Sequence, residues 1–511
     1  MSELIEAVGG KLLREEGGAA AGLPCEETDS APRMDVKIRS VVTDSRNVEE
    51  KCVFFALSGE RFDGHAYVAS ALEKGAAGCV ISKVPEEGAR VPGKFYVLVR
   101  DTRRALGDLA RYYREKFDVK VVGITGSVGK TTCREMVQAV LSRRFRVHAT
   151  KGNFNNEIGL PLTIFGLSKD DQVLVVEMGM NHPGEIRYLS RIAEPDLAVI
   201  TNIGTAHIGL LGSREAIFQA KREIFDGLKD GGAAILCGDD DFLPRIREEV
   251  SLSGRYRLFY AGKGPDCDYR VKNIRVEIGT AGKEKGRAEF STLCEIRMPR
   301  KARGDAAESR ETVGAEPREI DARISAIGMH LVYPASIAAA VGDLLGMTAA
   351  EIRDGIADFK GQRMPCEEYG DFYLFDDTYN ASPDSMKSSM EALACVEQAV
   401  PGIIKAAVLG DMFEQGAFAD SLHREVGRAA AETGIDILIT VGPLSAAMAE
   451  EAREAGVPDV RAFGNLEDAA QAVEEITRPG TAVLFKASNA MHLGRLAALS
   501  RKKAGGERDG I

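Results

Sequence analysis

Seven residues constrain this chain more than any others: Gly126-Ser127-Val128-Gly129-Lys130-Thr131-Thr132. Ahead of them Val119, Val121, Val122 and Ile124 read as a buried strand. After them Cys133, Met136, Val137, Val140 and Leu141 recur at helical spacing and define one apolar face. A strand, a glycine turn and a helix in this order let several backbone N–H groups and the positive helix end converge on one anion. Lys130 then suits the outer phosphates and the Thr131 hydroxyl suits Mg²⁺, so the turn predicts a nucleoside triphosphate site. The common P-loop would start with glycine at 124; isoleucine stands there, leaving the shorter form T-G-x-x-G-K-T, a spacing that favours ligases over switch GTPases.

The 511 residues give material for about two to four domains. A formal charge of -11 argues against a nucleic-acid partner, whose phosphates need a basic surface. The nine cysteines are scattered, with no C-x-x-C pair, as expected of reduced thiols in a cytoplasmic protein. No stretch approaches the roughly 18 apolar residues of a membrane span, so no membrane role is expected.

The first unit, residues 1–117, alternates short apolar runs (Val53 to Leu57, Cys79 to Ile81, Tyr96 to Val99) with helices (Gly64 to Lys74, Thr102 to Phe117), the pattern of a small α/β domain. Glu15 to Pro32 reads as a surface loop. Thr43-Asp44-Ser45-Arg46 offers hydroxyls and a guanidinium that suit a diphosphate, though polar turns have the same composition. His65 reads as a surface residue at a helix start.

The second unit, residues 118–330, adds three groupings to the glycine turn. Lys151 to Pro161 crowds Asn153, Asn155 and Asn156 into one loop. Val173 to Glu177 is an apolar run ending in a carboxylate, a Mg²⁺ candidate where open α/β sheets bind ligands. Leu197 to Thr201 delivers Asn202-Ile203-Gly204-Thr205-Ala206-His207 to the same rim. Ser213 is placed to cap a helix whose buried face holds Ile217, Ala220, Ile224 and Leu228, and Lys221 falls on that face. Its amine either snorkels to solvent or, desolvated and neutral, reacts with CO₂ to give an anionic carbamate that binds Mg²⁺. Arg300 to Pro317 reads as a surface insertion.

The third unit, residues 331–511, has apolar runs at Phe372 to Asp377, Ala406 to Leu409, Ile437 to Gly442 and Ala482 to Lys486. Helices starting near Pro383, Asp420, Leu444, Leu466 and Met491 alternate with them, as in a doubly wound sheet. Polar groups cluster after three of these runs, at Asp376 to Pro383, Leu409 to Glu414 and Lys486 to Asn489, and predict one ligand edge.

With T-G-S-V-G-K-T-T, G-N-F-N-N-E-I-G-L-P, E-M-G-M-N, N-I-G-T-A-H, D-D-T-Y-N-A-S-P and L-G-D-M-F-E in this order, the chain resembles the Mur ligase family over nearly its whole length. The resemblance implies an α/β fold of three domains: a UDP-sugar-binding N-terminal domain, a central P-loop ATPase with a mostly parallel sheet, and a Rossmann-like C-terminal ligase domain. It implies ATP and Mg²⁺ and, as small-molecule partners, UDP-N-acetylmuramoyl-tripeptide (UDP-MurNAc-tripeptide) and D-alanyl-D-alanine (D-Ala-D-Ala); a monomer is expected. Gly126 to Thr132 with Lys130 would hold ATP, and Thr131, Glu177, His207 and a carboxylated Lys221 the metal. Asn380, Tyr379, Arg363 and His330 would contact the nucleotide, Ser45 and Arg46 the UDP part, and Asn155, Asn156, Lys486 and Ser488 the substrates.

Two positions depart from the family pattern. Leu331, Val332, Tyr333 and Pro334 follow His330 where H-x-V-x-N is usual, and Lys486-Ala487-Ser488-Asn489 replaces K-G-S-R. Rival readings are a third-residue-adding or folylpolyglutamate-type ligase of the same family and a P-loop switch. The D-N-P-R-type motif of the former is absent, and the folate enzymes place their P-loop near the N-terminus.

Overall fold

The computed structural model describes residues 1–13, 36–59, 62–85, 91–249, 254–279, 289–299, 318–360, 364 and 366–505. Arg363, Cys25 and the two segments read as surface insertions lie outside the described residues. Three sheets follow one another along the chain. The first holds β1 (Lys11–Leu13), β2 (Ser40–Val42), β3 (Cys52–Phe55), β4 (Gly78–Ile81) and β5 (Phe95–Leu98) in the order β1-β5-β4-β3-β2, with β1 alone antiparallel. The unbroken apolar runs of β3 and β4 are buried at every position, as a parallel sheet covered on both faces requires.

The second sheet carries the P-loop. Its strands are β6 (Lys120–Thr125), β7 (Val147–Ala149), β8 (Val173–Glu177), β9 (Leu197–Ile200), β10 (Ala233–Cys237), β11 (Arg257–Gly262), β12 (Tyr269–Ile278), β13 (Phe290–Met298) and β14 (Arg318–Ile324). They lie in the order β14-β13-β12-β11-β10-β9-β6-β8-β7, parallel except for the β12-β13-β14 ladder. The P-loop strand β6 is thus flanked by β8, whose Glu177 pairs with Ile124, and by β9, whose Ile200 pairs with Thr125. Glu177 and the segment after Ile200 therefore emerge on either side of the glycine turn.

The helix Lys130–Leu141 buries the five residues that its spacing predicts: Cys133, Met136, Val137, Val140 and Leu141. Against them pack the helices Val332–Leu344 and Ala349–Asp358, whose Ala338, Ala339, Val341, Ile352 and Ile356 share the same core. This corrects the boundary expected at 330/331: both helices belong with the central sheet, and we place the break near residue 360. The first of them is buried on almost all sides by alanines and valines, so it shows no amphipathic face to mark where it docks.

The third sheet contains β15 (Cys366–Tyr369), β16 (Phe372–Asp376), β17 (Ile404–Gly410), β18 (Ile437–Val441), β19 (Asp459–Phe463) and β20 (Thr481–Lys486). Their order is β15-β16-β20-β17-β18-β19, with only β15 antiparallel. Because β16, β20 and β17 are neighbours, their polar ends meet on one edge, as the sequence pattern predicts. The helix Thr102–Arg114 joins the first sheet to the second: Arg103 pairs with Glu157, and Arg111 and Arg114 pair with Glu194. Across the other junction Phe290 of β13 meets Tyr373 of β16 edge-on, with ring centroids 5.8 Å apart. No helix among the described residues is long and apolar enough to cross a membrane. The cysteines among them are unpaired thiols.

If the two added helices are part of the central core, Ile352→Ala removes a fully buried side chain from it. The expected cost is about 2–5 kcal/mol, read as an earlier denaturant midpoint for the central domain.

Candidate active site

The glycine turn is built by backbone geometry. Gly126 has φ of 150°, and a Cβ there would lie 1.8 Å from Thr201 Oγ1; Gly129, with φ of 80°, is the residue from which the helix starts. Neither conformation suits a residue with a side chain. Segment 201–204 then stitches the turn in place. Ser127 N–H donates to the Asn202 carbonyl at 3.1 Å and Val128 N–H to Asn202 Oδ1 at 2.9 Å. Thr201 Oγ1 donates to the Val128 carbonyl at 2.7 Å, and Gly204 N–H donates to Ser127 Oγ at 2.9 Å. Lys130 folds back over the turn, its Nζ donating to the Gly126 carbonyl at 2.8 Å.

Beside the turn, Glu177 is 2% exposed. Its carboxylate accepts from Thr131 Oγ1 at 2.9 Å through one oxygen and from Asn155 Nδ2 at 2.9 Å through the other. His207 has φ of 66°, a left-handed conformation. Its Nδ1 is buried without a hydrogen-bond partner, with Glu414 Oε2 of the third domain 3.8 Å away. Burial, with the charges of Lys130 and Lys221, holds its pKa down at about 4. Lys221, whose exposure is 2%, does not snorkel. No carboxylate among the described residues pairs with it, and burial, reinforced by the like charge of Lys130, pushes its ammonium well below the usual lysine range.

The opposite wall comes from the third domain. Lys486 Nζ donates to Asp377 Oδ2 at 2.5 Å and to the Asn380 carbonyl at 2.9 Å, and Ser389 Oγ donates to the same Asp377 oxygen. Tyr379 is 60% exposed and borders the cleft beside Asn380. Ser488 Oγ accepts from Phe413 N–H at 2.9 Å and so fixes the neighbouring strand end. His330 lies below, its Nδ1 buried and unpartnered; burial lowers its pKa to about 4 against the opposing pull of Asp377. Where the family pattern expects an asparagine, Pro334 enters the buried start of a helix and makes this part of the wall apolar. The cleft has a volume of about 970 Å³ and runs from the P-loop to Lys486.

Not every expected residue lies there. Asn156 does not line the cleft: its Oδ1 caps the helix Gly159–Phe165 by accepting from Ile158 and Gly159 N–H, while Asn153 and Asn155 border the cleft. Ser45 and Arg46 sit on a turn of the first domain, where Arg46 pairs with Asp44 at 2.6 Å and Lys74 donates to the Ser45 carbonyl. Asn202 and Asp384 were not singled out from the sequence. The signal for Asn202 was present in N-I-G-T-A-H, at the end of the strand beside the P-loop. Asp384 gave none, because an acid in a first helical turn is ordinary.

A P-loop domain whose cleft is walled by a separate Rossmann-like domain fits an ATP-dependent ligase. Three models match in the same order as the three sheets: Mur ligase family, catalytic domain, over residues 37–114; Mur ligase middle domain over 124–342; and Mur ligase, glutamate ligase domain, over 362–489. The UDP-N-acetylmuramoyl-tripeptide--D-alanyl-D-alanine ligase of Bacillus subtilis is 36% identical over 465 residues, covering 89% of this chain and 92% of that protein. A crystal structure of MurF from Acinetobacter baumannii superposes with a TM-score of 0.79 at 30% identity, covering 98% of both chains. MurF ligase from Thermotoga maritima in complex with ADP gives 0.74 at 28% identity, covering 92% of this chain and 99% of that one. The chain belongs to the Mur ligase family.

Two outcomes follow from this geometry. Gly126→Ala drives a methyl into Thr201 and strains the turn by about 1–3 kcal/mol, so a nucleotide titration should show binding weaker by about 5- to 150-fold. For His330 the folded value of about 4 lies below the ~6.5 of an unfolded chain. Between these values only the unfolded state takes up the proton. The contribution is complete above pH 6.5 and is lost progressively as pH falls towards 4, by a few kcal/mol on the order of magnitude. His330→Gln should flatten that part of the stability-pH curve.

Proposed function

We propose that this chain joins the amine of D-Ala-D-Ala to the terminal carboxylate of UDP-MurNAc-tripeptide, with ATP as co-substrate and through an acyl phosphate. The observation that carries the reading is one cleft with the phosphate-holding turn on one wall and the Lys486 edge of a second domain on the other. The 36% identity to a ligase named for this reaction supports the choice of substrates.

In this reading the tripeptide carboxylate attacks the γ-phosphate while Lys130 and the first N–H groups of the helix Lys130–Leu141 take up the developing charge. Lys130 Nζ donates to two neutral carbonyls, Gly126 and Ser127, and is placed to exchange them for phosphate oxygens. The amine then attacks the acyl carbonyl and phosphate leaves. The third domain walls the cleft, which limits hydrolysis of the activated acyl group.

The donor set fits Mg²⁺. Glu177 and Thr131 present hard oxygens side by side, and among the described residues no group of three or more His, Cys, Asp or Glu forms a cage. Such a half-site suits an ion whose other ligands are phosphates and water. Bound there, Mg²⁺ supplies positive charge to the outer phosphates. We assign His207 and Lys221 to a second metal position; the neutral Lys221 amine adds to CO₂ and releases a proton to give a carbamate. Tyr379, Asn380, His330 and Arg363 are assigned to the nucleotide, Ser45 and Arg46 to the UDP part, and Asn155, Lys486 and Ser488 to the joined ends. The enzyme is proposed to work in the cytoplasm as a monomer.

Phosphate release with ATP and Mg²⁺ is expected only when both substrates are present, with a pentapeptide product by mass. Turnover indifferent to the amine, or requiring a different amine, would contradict the assignment. Lys221→Ala should lower kcat by about 100-fold and regain activity with short carboxylates such as formate. Full activity without them would remove the carbamate.

A further inference from the structure

Asp384 occupies the second position of the helix Pro383–Ala394 in the third domain, yet its carboxylate does not serve that helix. Ser382 and Ser385 already cap it reciprocally. Asp384 instead reaches across the domain junction: Oδ2 accepts from Thr205 N–H at 2.9 Å and lies 3.4 Å from Thr205 Oγ1. The approach is close enough that a Cβ on Gly204 would sit 2.0 Å from the same oxygen.

Thr205 continues the segment that stitches the phosphate loop. Its neighbour Gly204 donates to Ser127 Oγ, and Asn202 takes the N–H groups of both Ser127 and Val128. A continuous run of hydrogen bonds therefore links a carboxylate of the third domain to the first half of the P-loop. Further contacts of the third domain fall on the same stretch: Glu414 Oε2 lies 3.8 Å from His207 Nδ1, and a Cβ on Gly209 would lie 2.6 Å from the Glu414 carbonyl. Segment 204–209 is held from one side by the P-loop and from the other by Asp384 and Glu414 of the third domain.

We infer that Asp384 is a positioning residue that couples closure of the third domain to nucleotide binding at the P-loop. With Asp384 bonded to Thr205, segment 201–205 holds Ser127 and Val128 in the geometry that receives phosphate. By thermodynamic reciprocity, nucleotide that favours this geometry favours the docked position of the third domain to the same degree. The physical warrant is the shared element, one segment whose position both the loop and the domain determine. The inference rests on the proposed function only in placing nucleotide at the P-loop.

The test uses the full chain with ADP and Mg²⁺, so that no ligase chemistry is needed. ADP affinity is measured by titration of a fluorescent ADP, and closure by the radius of gyration from small-angle scattering. The wild type should contract on binding ADP. Asp384→Ala should bind ADP about tenfold more weakly and lose the contraction, while Asp384→Asn, whose amide oxygen still accepts from Thr205, stays near wild type. Ser127→Ala, cutting the chain at its other end, should give a penalty that does not add to that of Asp384→Ala. Wild-type affinity or retained contraction in Asp384→Ala overturns the inference, as does tighter binding, which would mean that Asp384 acts only by repelling phosphate. Failure of the wild type to bind ADP would instead overturn the nucleotide site itself.

Discussion

A carboxylate buried to 2% exposure at the end of a central strand demands hydrogen-bond donors, and Glu177 finds them in Thr131 and Asn155. That pair of contacts ties together three pieces of chain distant in sequence: the helix after the P-loop, the strand beside it and the asparagine loop. The register of β6 between β8 and β9 makes this possible, because it brings Glu177 out on one side of the turn and Asn202 on the other. Nucleotide chemistry at this position is a consequence of strand order as much as of the glycine motif.

The domains attach to this centre in different ways. The first is joined through one helix whose arginines pair with Glu157 and Glu194, leaving Ser45 and Arg46 on its own turn, away from the P-loop wall. The third presents its ligand edge directly to the P-loop. Lys130 lies close enough to His207 and Lys221 to lower their affinity for protons, and in the third domain Lys486 is held by Asp377.

Much of this was legible in the residues. The apolar spacing of Cys133 to Leu141 identified the face that the P-loop helix buries, and the runs ending at Glu177, Asp377 and Lys486 identified strands whose ends line the cleft. Periodicity failed where burial is all-round: the alanine-rich helix Val332–Leu344 gave no face, and the domain boundary was set too early. Asn156 was assigned to the cleft because composition cannot distinguish a capping asparagine from a ligand-facing one. Lys221 shows the reverse. Position alone left snorkelling and desolvation equal, and only the packed structure reveals its full burial. Asp384 was invisible because its partner, Thr205, belongs to another domain.

The most direct measurement of the central claim follows oxygen. The tripeptide substrate is prepared with ¹⁸O in its terminal carboxylate, turned over with ATP and D-Ala-D-Ala, and the released phosphate is read by ³¹P NMR. Attack of that carboxylate on the γ-phosphate, followed by attack of the amine at the acyl carbon, sends one labelled oxygen into each phosphate released. Phosphate carrying oxygen from water instead would mean that ATP is hydrolysed without activating the carboxylate, and the ligase account would fail.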